Sequence, residues 1–420
     1  MKVTIFAAGS RGDIQPCVAL SKGLIQAGYR VVLAAPQDFA SFVQAHDLDF
    51  YPLRGDVQSI MAGDVGREFM DTGGANPIRS IRAMRAMIGP IAMEMAEDAY
   101  LACRDAKGIV CLGVLSAFGA SIAEELSVPI INTEPTPLLP TRAFAAPAWP
   151  IQKDLGGLHN YISGLAMLQI VWMWYEPFVN EFREKLGLSH LTFGRFFRML
   201  RSTPMLSAYS PNIIPHPPDW SERVHITGYL FLDTDSDWQP PSDLTGFLEA
   251  GEPPVYIGFG SMAGRKPEEL AKLVIEALRK SEQRGLLLKG WGGLYAEQVP
   301  ANIFMADSVP HSWLFPRVSA VVHHGGAGTT AEGLRAGTPT IIVPFAFDQA
   351  FWGTRVKGIG AGPDPIPQKK LTADRLATAI GFAVSDPAIR RQAKKIGEAI
   401  RTESGLENAV KVIEKYFGKP

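Results

Sequence analysis

The sequence predicts an α/β protein built from two domains of similar architecture. Runs of β-branched and apolar residues lead into glycine turns and then into segments with helical spacing, first at the N-terminus and again in the second half. A polar, proline-bearing stretch separates the two halves. At 420 residues the chain is too long for one ordinary core. Such alternation predicts mostly parallel sheets covered by helices on both faces.

The composition is typical of a globular protein, with 46% hydrophobic and 20% charged residues. The net charge of -1 offers no electrostatic footprint for nucleic acid. Three cysteines, Cys17, Cys103 and Cys111, fit neither a disulfide framework nor a metal cluster and favour a reducing compartment. The N-terminal apolar run is too short for a signal peptide, and the run from Leu165 to Tyr175 is too short for a bilayer span. We expect a cytoplasmic protein, with peripheral membrane contact left open.

The first half opens with a strand, helix and strand unit. KVTIFAA predicts a buried strand, GSRGDIQP a glycine turn, Cys17 to Ala27 a helix that Gly28 ends, and RVVLAA a second strand. A further unit follows, with GIVCLGVLS as strand, AFGASIAEELS as helix and VPIINTEP as strand. The repetition predicts one parallel sheet.

Between about residues 140 and 210 strand signals disappear and large apolar side chains accumulate. In a helical interpretation these side chains cover more than one face. Core packing is the more common role for any one of them, but as a set they indicate an apolar acceptor pocket or a lipid-facing surface. Phe144, Trp172 and Tyr175 are the candidates to line such a pocket.

Four segments are predicted: a first αβ domain over 1–235, a linker over 236–253, a second αβ domain over 254–395, and a C-terminal helical segment over 396–420. Asp233, Asp235 and Asp237 imitate a metal-binding DxD, but acidic linkers are common and we interpret them as solvated chain. After the linker, VYIGFGS, LLLKGW and NIFMAD predict strands, and Lys266 to Glu282 predicts a helix. Further helices are predicted at 348–357, 372–386 and from 387 onward, with a break near Gly405.

The sharpest pattern is VVHHGGAGTTAEGL in the second half. A strand ends at two histidines, glycines form a turn, and Thr329 and Thr330 open a helix. Glycines allow close backbone approach and a helix N-terminus offers unpaired N–H groups, so the turn suits an anion such as phosphate. Many such turns only reverse the chain. A histidine that can donate to phosphate, His324, and an acid eight positions later, Glu332, favour a nucleotide ligand.

Two such domains facing across a cleft would bring their strand ends and helix N-termini together, the usual ligand site of open sheets. The first half contributes GSRGD with Asp13, and the second contributes HHGGAGTT with His324 and GFGSM with Ser261. From the residues alone, capping of the following helix is a more common role than catalysis for an aspartate such as Asp13.

The motifs resemble those of family 1 nucleotide-sugar-dependent glycosyltransferases of the GT-B fold, and the chain is most similar to sterol 3-β-glucosyltransferases and bacterial antibiotic glycosyltransferases. The similar segments are GSRGDIQP, VYIGFGSM, KGW, PHSWLFPRVSAVVHHGGAGTTAEGLRAGTPTIIVPF and DQAFWGTRV. They span nearly the whole chain in order and spacing, which is far more specific than a lone glycine fingerprint. The resemblance implies two Rossmann-like αβα domains, an acceptor-binding one over 1–235 and a nucleotide-sugar-binding one over 254–395. It also implies a C-terminal helix over 396–420 that crosses back to the first domain.

The resemblance also implies roles for single residues. Asp13 would be the general base, His324 would contact the donor phosphates, and Glu332 would bind the ribose. The backbone of Gly326, Ala327, Gly328 and Thr329 would cradle the diphosphate, with help from Ser261. Asp348 and Gln349 would hold the sugar hydroxyls. The nucleotide base would lie beside Val309, His311 and Trp313.

The implied chemistry is inverting transfer from UDP-glucose to the hydroxyl of a hydrophobic small molecule, without a metal or other cofactor. A base removes the hydroxyl proton while donors on the opposite face stabilise the leaving diphosphate. Phe347, where relatives have a small residue, and Glu134, where we expect a neutral one, put glucose and sterol in question. The alternatives are a dTDP- or UDP-sugar transferase acting on a polyketide, carotenoid or glycolipid, a nucleotide-sugar epimerase, a nicotinamide oxidoreductase, and a non-catalytic binding protein.

Overall fold

The computed structural model describes residues 1–55, 63, 77–233, 238–260, 267–289, 294–296 and 298–420. The chain divides into two compact units. The first unit comprises Met1–Pro211, Pro215–Leu232 and Ser404–Pro420, and the second comprises Asn212–Ile214 and Asp233–Glu403. The helix that packs with the first unit begins at Gly405, where the sequence predicts a break, whereas residues from 396 to 403 belong to the second unit. A Cβ at Gly405 would lie 2.2 Å from the Tyr229 carbonyl oxygen, so this close approach requires glycine.

The first unit is built on a seven-stranded sheet of order β3-β2-β1-β4-β5-β6-β7, with every neighbouring pair parallel. The strands are β1 (Lys2–Phe6), β2 (Arg30–Pro36), β3 (Asp49–Leu53), β4 (Gly108–Leu112), β5 (Ile130–Glu134), β6 (Met205–Ser207) and β7 (Val224–Ile226). The helices are α1 (Arg11–Gln26), α2 (Ala40–Gln44), α3 (Pro77–Cys103), α4 (Ser116–Leu126), α5 (Gly157–Lys185), α6 (Phe193–Ser202) and, at the chain's end, α14 (Gly405–Phe417).

The core of the first unit lies on both faces of this sheet. Val3, Ile5, Val110 and Ile131 are completely buried, as expected where helices cover both faces of a parallel sheet. Strands β6 and β7 are only three residues long, so their sequences carry no period that would reveal them.

The second unit holds a five-stranded parallel sheet of order β10-β9-β8-β11-β12. Its strands are β8 (Val255–Gly258), β9 (Gly285–Leu288), β10 (Ile303–Ala306), β11 (Ala320–His323) and β12 (Thr340–Ile342). Its helices are α7 (Ser242–Glu249), α8 (Pro267–Lys280), α9 (His311–Leu314), α10 (Ala327–Ala336), α11 (Gln349–Gly358), α12 (Ala373–Ser385) and α13 (Pro387–Arg401). Short 3-10 turns occur at Gln37–Phe39, Gly113–Leu115, Phe315–Arg317 and Gln368–Lys370.

Each sheet has one point where the strand order reverses, between β1 and β4 in the first unit and between β8 and β11 in the second. Ligands of open α/β sheets bind outside the carboxyl ends of the strands at such points. The glycine turns after β1 and after β11 both lie there. The fold therefore presents one candidate binding edge in each unit.

Helix α1 begins earlier than the sequence predicts. It starts at Arg11 rather than Cys17, with Pro16 inside it. Proline at that position forfeits only the hydrogen bond to the carbonyl of Gly12, while Ser10 caps the helix ahead of it. Asp13 consequently lies in the first turn of a helix and not in a loop.

Candidate active site

The carboxylate of Asp13 is fixed by a capping box at the start of α1. Its Oδ2 accepts hydrogen bonds from the Ser10 amide at 2.8 Å and the Ser10 hydroxyl at 3.1 Å, while Ser10 Oγ accepts from the Gly12 amide at 3.2 Å. Gly9 precedes the cap with a φ of +136°. A Cβ there would lie 2.4 Å from Asp13 Oδ2, so glycine is required both by conformation and by space. The hydrogen bonds that make Asp13 part of the cap also orient its carboxylate, so the capping and catalytic interpretations are compatible.

Asp13 lines a pocket at the carboxyl edge of the first sheet, which we call the Asp13 pocket. Its other lining residues come from α1 and from the ends of strands β4, β5, β6 and β7, and most are apolar. They are Pro16, Cys17, Leu20, Leu112, Thr133, Pro135, Ala208 and Leu230. Burial and then the negative charge of Asp13 raise the pKa of the Cys17 thiol to about 12. The pocket therefore places one ionisable acid in apolar surroundings.

The three residues expected to line an acceptor pocket have different surroundings. Burial and the charge of Asp13 raise the pKa of the Tyr175 phenol to about 12, so its hydroxyl lies within electrostatic reach of that carboxylate. Trp172 is 5% exposed and stacks on Phe196, with ring centroids 4.9 Å apart, inside the core. Phe144 meets Trp220 edge to face at 6.2 Å.

Glu134 carries a buried carboxyl at the end of β5. Burial raises its pKa to about 8, and the Ser207 hydroxyl donates to Oε1 at 3.3 Å. Its Oε2 is buried without a hydrogen-bond partner among the described residues. Successive strand residues point to opposite faces, so Glu134 lies on the other face of the sheet from Thr133, which lines the Asp13 pocket. Glu134 is therefore protonated at neutral pH and directed away from that pocket.

The glycine turn of the second unit connects β11 to α10. Gly325 has a φ of +94°, and a Cβ there would lie 2.7 Å from Ile342 Cγ2 and 2.9 Å from the Gln349 carbonyl oxygen. Gly326 is the N-cap of α10 and contributes no side-chain cap. A Cβ on Gly328 would meet nothing within 4 Å. The first N–H groups of α10, those of Ala327, Gly328 and Thr329, thus have no side-chain cap, the arrangement that binds anions.

The two histidines before this turn have separate roles. His323 is completely buried, and its Nδ1 accepts a hydrogen bond from the Gly325 amide at 3.0 Å, which shapes the turn. Burial, with smaller effects of His324 and His311, lowers the pKa of His323 well below its usual value. Burial lowers the pKa of His324 to about 4, and its Nδ1 has no hydrogen-bond partner in the described part of the chain. His324 is therefore a neutral hydrogen-bonding group at pH 7.

Ser261 lies outside the described residues. Its neighbour Gly260, just after β8, is close to the histidine turn, because a Cβ there would lie 3.6 Å from His324 Cε1. The ends of β8 and β11 therefore meet, as their pairing in the sheet requires.

Glu332 lies on α10 among charged neighbours. Burial raises its pKa to about 7, while Arg335 opposes that shift and Asp233 adds to it. The Arg335 guanidinium is 3.9 Å from the Glu332 carboxylate and 2.5 Å from that of Asp233. Asp233, interpreted from the sequence as solvated chain, is 70% exposed at its side chain but forms this ion pair. Asp235 and Asp237 lie outside the described residues.

Asp348 and Gln349 open helix α11. Gln349 is buried, and its Oε1 accepts hydrogen bonds from the amides of Phe345 at 2.7 Å and Ala346 at 3.0 Å. Asp348 Oδ2 accepts from the Trp352 indole at 2.8 Å. Phe347, the residue that departs from the expected small side chain, has a φ of +54°, which is uncommon for a bulky residue. The loop ahead of α11 is thus held by Gln349.

The segment expected beside the nucleotide base contributes one buried aliphatic residue, Val309, and two aromatic ones, His311 and Trp313. Val309 is 5% exposed and packs in the core with Leu314 and Phe315. His311 Nε2 is 3.2 Å from the Tyr256 hydroxyl, and its ring stacks on Phe315 with centroids 4.4 Å apart.

Trp313 stands at the same end of α9 with an aromatic and a cationic neighbour. It meets Trp238 edge to face at 5.2 Å, and the Arg317 guanidinium lies 4.4 Å over its ring. Among the described residues no group of three or more His, Cys, Asp or Glu side chains could hold a metal ion. In the same residues, no helix combines the length and apolar character needed to cross a membrane.

Two polar residues, Ser10 and Arg335, contact candidate site residues and were not identified from the sequence. Ser10 holds Asp13, and the S-x-x-D spacing from Ser10 to Asp13 is a capping-box signal that could have identified it. Arg335 lies three residues after Glu332, a spacing that brings helical side chains together. Its pairing with Asp233 is between distant parts of the sequence and has no local signal.

Two family models match the chain. The glycosyltransferase family 28 N-terminal domain matches residues 3–145, and the erythromycin biosynthesis protein CIII-like C-terminal domain matches residues 293–414. Among solved structures, the glycotransferase of kitacinnamycin superposes with a TM-score of 0.74 at 20% identity and covers 100% of this chain and 99% of that one. Such low identity bears on the fold alone, which is that of GT-B glycosyltransferases.

Curated relatives are closer in sequence. A sterol 3-β-glucosyltransferase of Arabidopsis thaliana is 36% identical over 423 residues, which cover 99% of this chain and 68% of the relative. A sterol 3-β-glucosyltransferase of Emericella nidulans is 35% identical over 98% of this chain, which spans only 30% of that longer protein. The chain belongs to the sterol 3-β-glucosyltransferase family of GT-B glycosyltransferases.

Proposed function

We propose that the chain transfers glucose from UDP-glucose, with inversion and without a metal, to the hydroxyl of a sterol-like alcohol. The observation that carries this proposal is the placement of Asp13, a single carboxylate held by Ser10 in an otherwise largely apolar pocket. An apolar alcohol bound against this edge of the sheet would present its hydroxyl to the carboxylate. Family membership supports hexosyl transfer, and the sterol acceptor is inferred from the relatives' names.

In this mechanism Asp13 removes the hydroxyl proton as the acceptor oxygen forms a bond to the anomeric carbon of the sugar. The bond from that carbon to the diphosphate oxygen breaks on the opposite face, so the configuration inverts. General-base assistance of this kind contributes a factor of about 10²–10⁴ in rate.

The leaving diphosphate would be stabilised by the second unit's turn. The amides of Ala327, Gly328 and Thr329 point out of an N-terminus without a side-chain cap, and the neutral imidazole of His324 can donate one hydrogen bond. These groups are preorganised donors for developing negative charge, which is why the proposal invokes no metal. Glu332 would accept from ribose hydroxyls, and Asp348 with Gln349 would hold the sugar.

A second candidate is transfer from a dTDP-sugar to a polyketide. The match of residues 293–414 to the erythromycin biosynthesis model favours it. Phe347 beside the proposed sugar-binding pair also bears on the choice of sugar, because its ring and strained backbone occupy a position where we expected a small residue.

The test is an acceptor-dependent release assay that crosses UDP-glucose and dTDP-glucose with a sterol, a carotenoid alcohol and a macrolide aglycone. Release without acceptor is subtracted, and the anomeric configuration of the product is determined by NMR. Release of UDP that requires the sterol, with a β-glucoside product, supports the proposal. Release only from dTDP-glucose favours the second candidate. Absence of acceptor-dependent release from any donor contradicts both, and epimerised donor without acceptor indicates an epimerase.

A cytoplasmic location stays a prediction.

A further inference from the structure

The start of helix α5 exposes large apolar side chains. Leu158 is 65% exposed and Ile162 is 52% exposed, and Leu155, in the loop just before the helix, is 52% exposed. Leu158 and Ile162 are four residues apart and therefore share one side of the helix. The sequence from Gly157 to Tyr175 contains no charged residue. An apolar helix face that water contacts in this way is unusual for a surface helix.

Helix α3 lies alongside the part of α5 that follows this face. The Arg85 guanidinium donates to the Met173 carbonyl at 2.8 Å, and the Lys185 ammonium donates to Glu97 at 2.9 Å. Both contacts join residues 88 positions apart, so α3 and α5 run parallel in a constant register. The same offset puts Arg79 and Arg82, which are both exposed, level with residues 167 and 170 of α5.

Charge is distributed unevenly along this helix pair. The first part of α3, from Pro77 to Met87, contains three arginines and no acidic residue, and the corresponding part of α5, residues 165–175, is uncharged. The acids begin only at Glu94 and Glu176, in the second parts of the two helices. Glu176 is 3.6 Å from Arg85, so it marks the limit of the cationic region. One end of the pair is therefore apolar and cationic, and the other is acidic.

Residues beside the start of α5 extend this pattern. Lys153 and Arg142 are both exposed. The one acid between them and the helix, Asp154, accepts hydrogen bonds from the Gly156 amide at 2.9 Å and the Asn160 side chain at 3.2 Å. These bonds lower the pKa of Asp154, so it stays ionised but is engaged within the loop.

We propose that this α3–α5 face, formed by Leu158, Ile162, Arg79 and Arg82, docks on a lipid bilayer that carries anionic headgroups. Aliphatic side chains offer no hydrogen bonds and suit the acyl boundary, while long cationic side chains reach phosphate and carboxylate groups at the headgroup level. The inference deepens the proposed function, on which it rests for a membrane-resident acceptor.

The experiment is co-sedimentation of the full chain with phosphatidylcholine vesicles prepared with and without phosphatidylserine, in the absence of donor and acceptor. Binding should require phosphatidylserine and weaken with salt. The double variant R79Q/R82Q should bind about 25-fold more weakly, since each cation near an anionic surface contributes about fivefold. L158S/I162S should bind at least about tenfold more weakly. Phe382→Ser is the matched control, because Phe382 is 53% exposed but lies on α12 of the second unit, and it should bind like the parent chain.

Equal binding to both kinds of vesicle, or equal losses in L158S/I162S and Phe382→Ser, would overturn the proposal. So would a dimer seen by sedimentation velocity without lipid that L158S/I162S disperses, because the face would then cover a second copy of the chain. Glucosyl transfer to a detergent-dispersed sterol by L158S/I162S separates the two proposals. Retained transfer with lost vesicle binding supports docking, and vesicle binding by a chain without transfer activity removes only the proposed function.

Discussion

The two units contain the same local element, a strand followed by a glycine turn and a helix. The N-terminus of the helix is capped differently in each. In the first unit Ser10 and Asp13 close the N-terminus of α1 with a capping box. In the second unit Gly326 caps α10 without any side chain. The amides that α1 satisfies internally are therefore left available at α10.

This difference explains how one element can serve opposite electrostatic purposes. The capping box places a negative carboxylate at a helix N-terminus, where the dipole stabilises it and Ser10 orients it. The glycine cap leaves a positive helix end that can receive a negative ligand. Under the proposed function the first arrangement takes a proton and the second receives the leaving group.

The largest expected effect is that of Gly325→Ala. Its φ of +94° and the Cβ contacts with Ile342 Cγ2 at 2.7 Å and the Gln349 carbonyl oxygen at 2.9 Å leave no place for a methyl group. We expect a loss of about 3 kcal/mol in the unfolding free energy of the second unit, together with loss of UDP binding. Denaturant unfolding and calorimetric UDP titration measure both.

Gly328→Ala is the matched control, because a Cβ there meets nothing within 4 Å. It should fold as the parent chain does, with stability raised by no more than about 1 kcal/mol. Equal losses of unfolding free energy and UDP affinity in the two variants would contradict a specific requirement for glycine at residue 325.

Glu134 should make the first unit less stable as pH rises from about 4.5 to about 8. The folded chain keeps this proton up to about pH 8, whereas the unfolded chain releases it near the ordinary value of 4.5. The contribution is complete below the unfolded value and is lost as pH rises through the folded one, an effect on the order of a few kcal/mol. Thermal melts at about pH 5 and about pH 8.5 should show a larger decline for the parent than for Glu134→Gln. Parallel declines contradict a buried proton.

Ser10→Ala should remove about 1 kcal/mol of stability and, in addition, lower kcat several-fold. The stability loss comes from the lost cap, and the kcat loss comes from a carboxylate that is no longer oriented. Thr372→Ala, which removes the cap of α12 by deleting the acceptor for the Arg375 amide, is the control. It should cost similar stability and leave kcat unchanged. If both variants keep full kcat, Ser10 is a structural cap and nothing more.

The smallest effect concerns Glu332. Its pKa of about 7 means that the carboxyl ionises across neutrality. Since a carboxylate is a stronger acceptor than an acid, affinity for UDP-glucose should rise about threefold from about pH 6 to about pH 8. His324, with a pKa of about 4, does not titrate in that window. Glu332→Gln should bind with no such dependence, and a dependence that survives this substitution must come from another group.

Much of this comparison could be predicted from the sequence. The glycine turns and the parallel order of the sheets carry local signals, namely residue type and spacing. The predicted start of α1 at Cys17 is wrong because Ser10 caps the helix ahead of Arg11, six residues earlier. Strands β6 and β7 were missed because three residues carry no period.

Other features had no local signal at all. The ion pair of Arg335 with Asp233 joins residues 102 positions apart. The protonation of Glu134 depends on its burial between strands, which only the packed sheet determines. The positive φ of Phe347 lies in a loop whose amides bond to Gln349, an arrangement that residue types alone do not indicate.

The central claim is tested most directly by Asp13→Asn, assayed in parallel for UDP-glucose binding and for transfer to a sterol. The asparagine amide oxygen can still accept from the Ser10 amide, so the cap survives while the base is lost. We predict unchanged UDP-glucose affinity by calorimetry and a fall in kcat of about 10²–10⁴. A fall in kcat of less than about tenfold, or donor affinity lost in proportion to kcat, would contradict the assignment of Asp13 as the base.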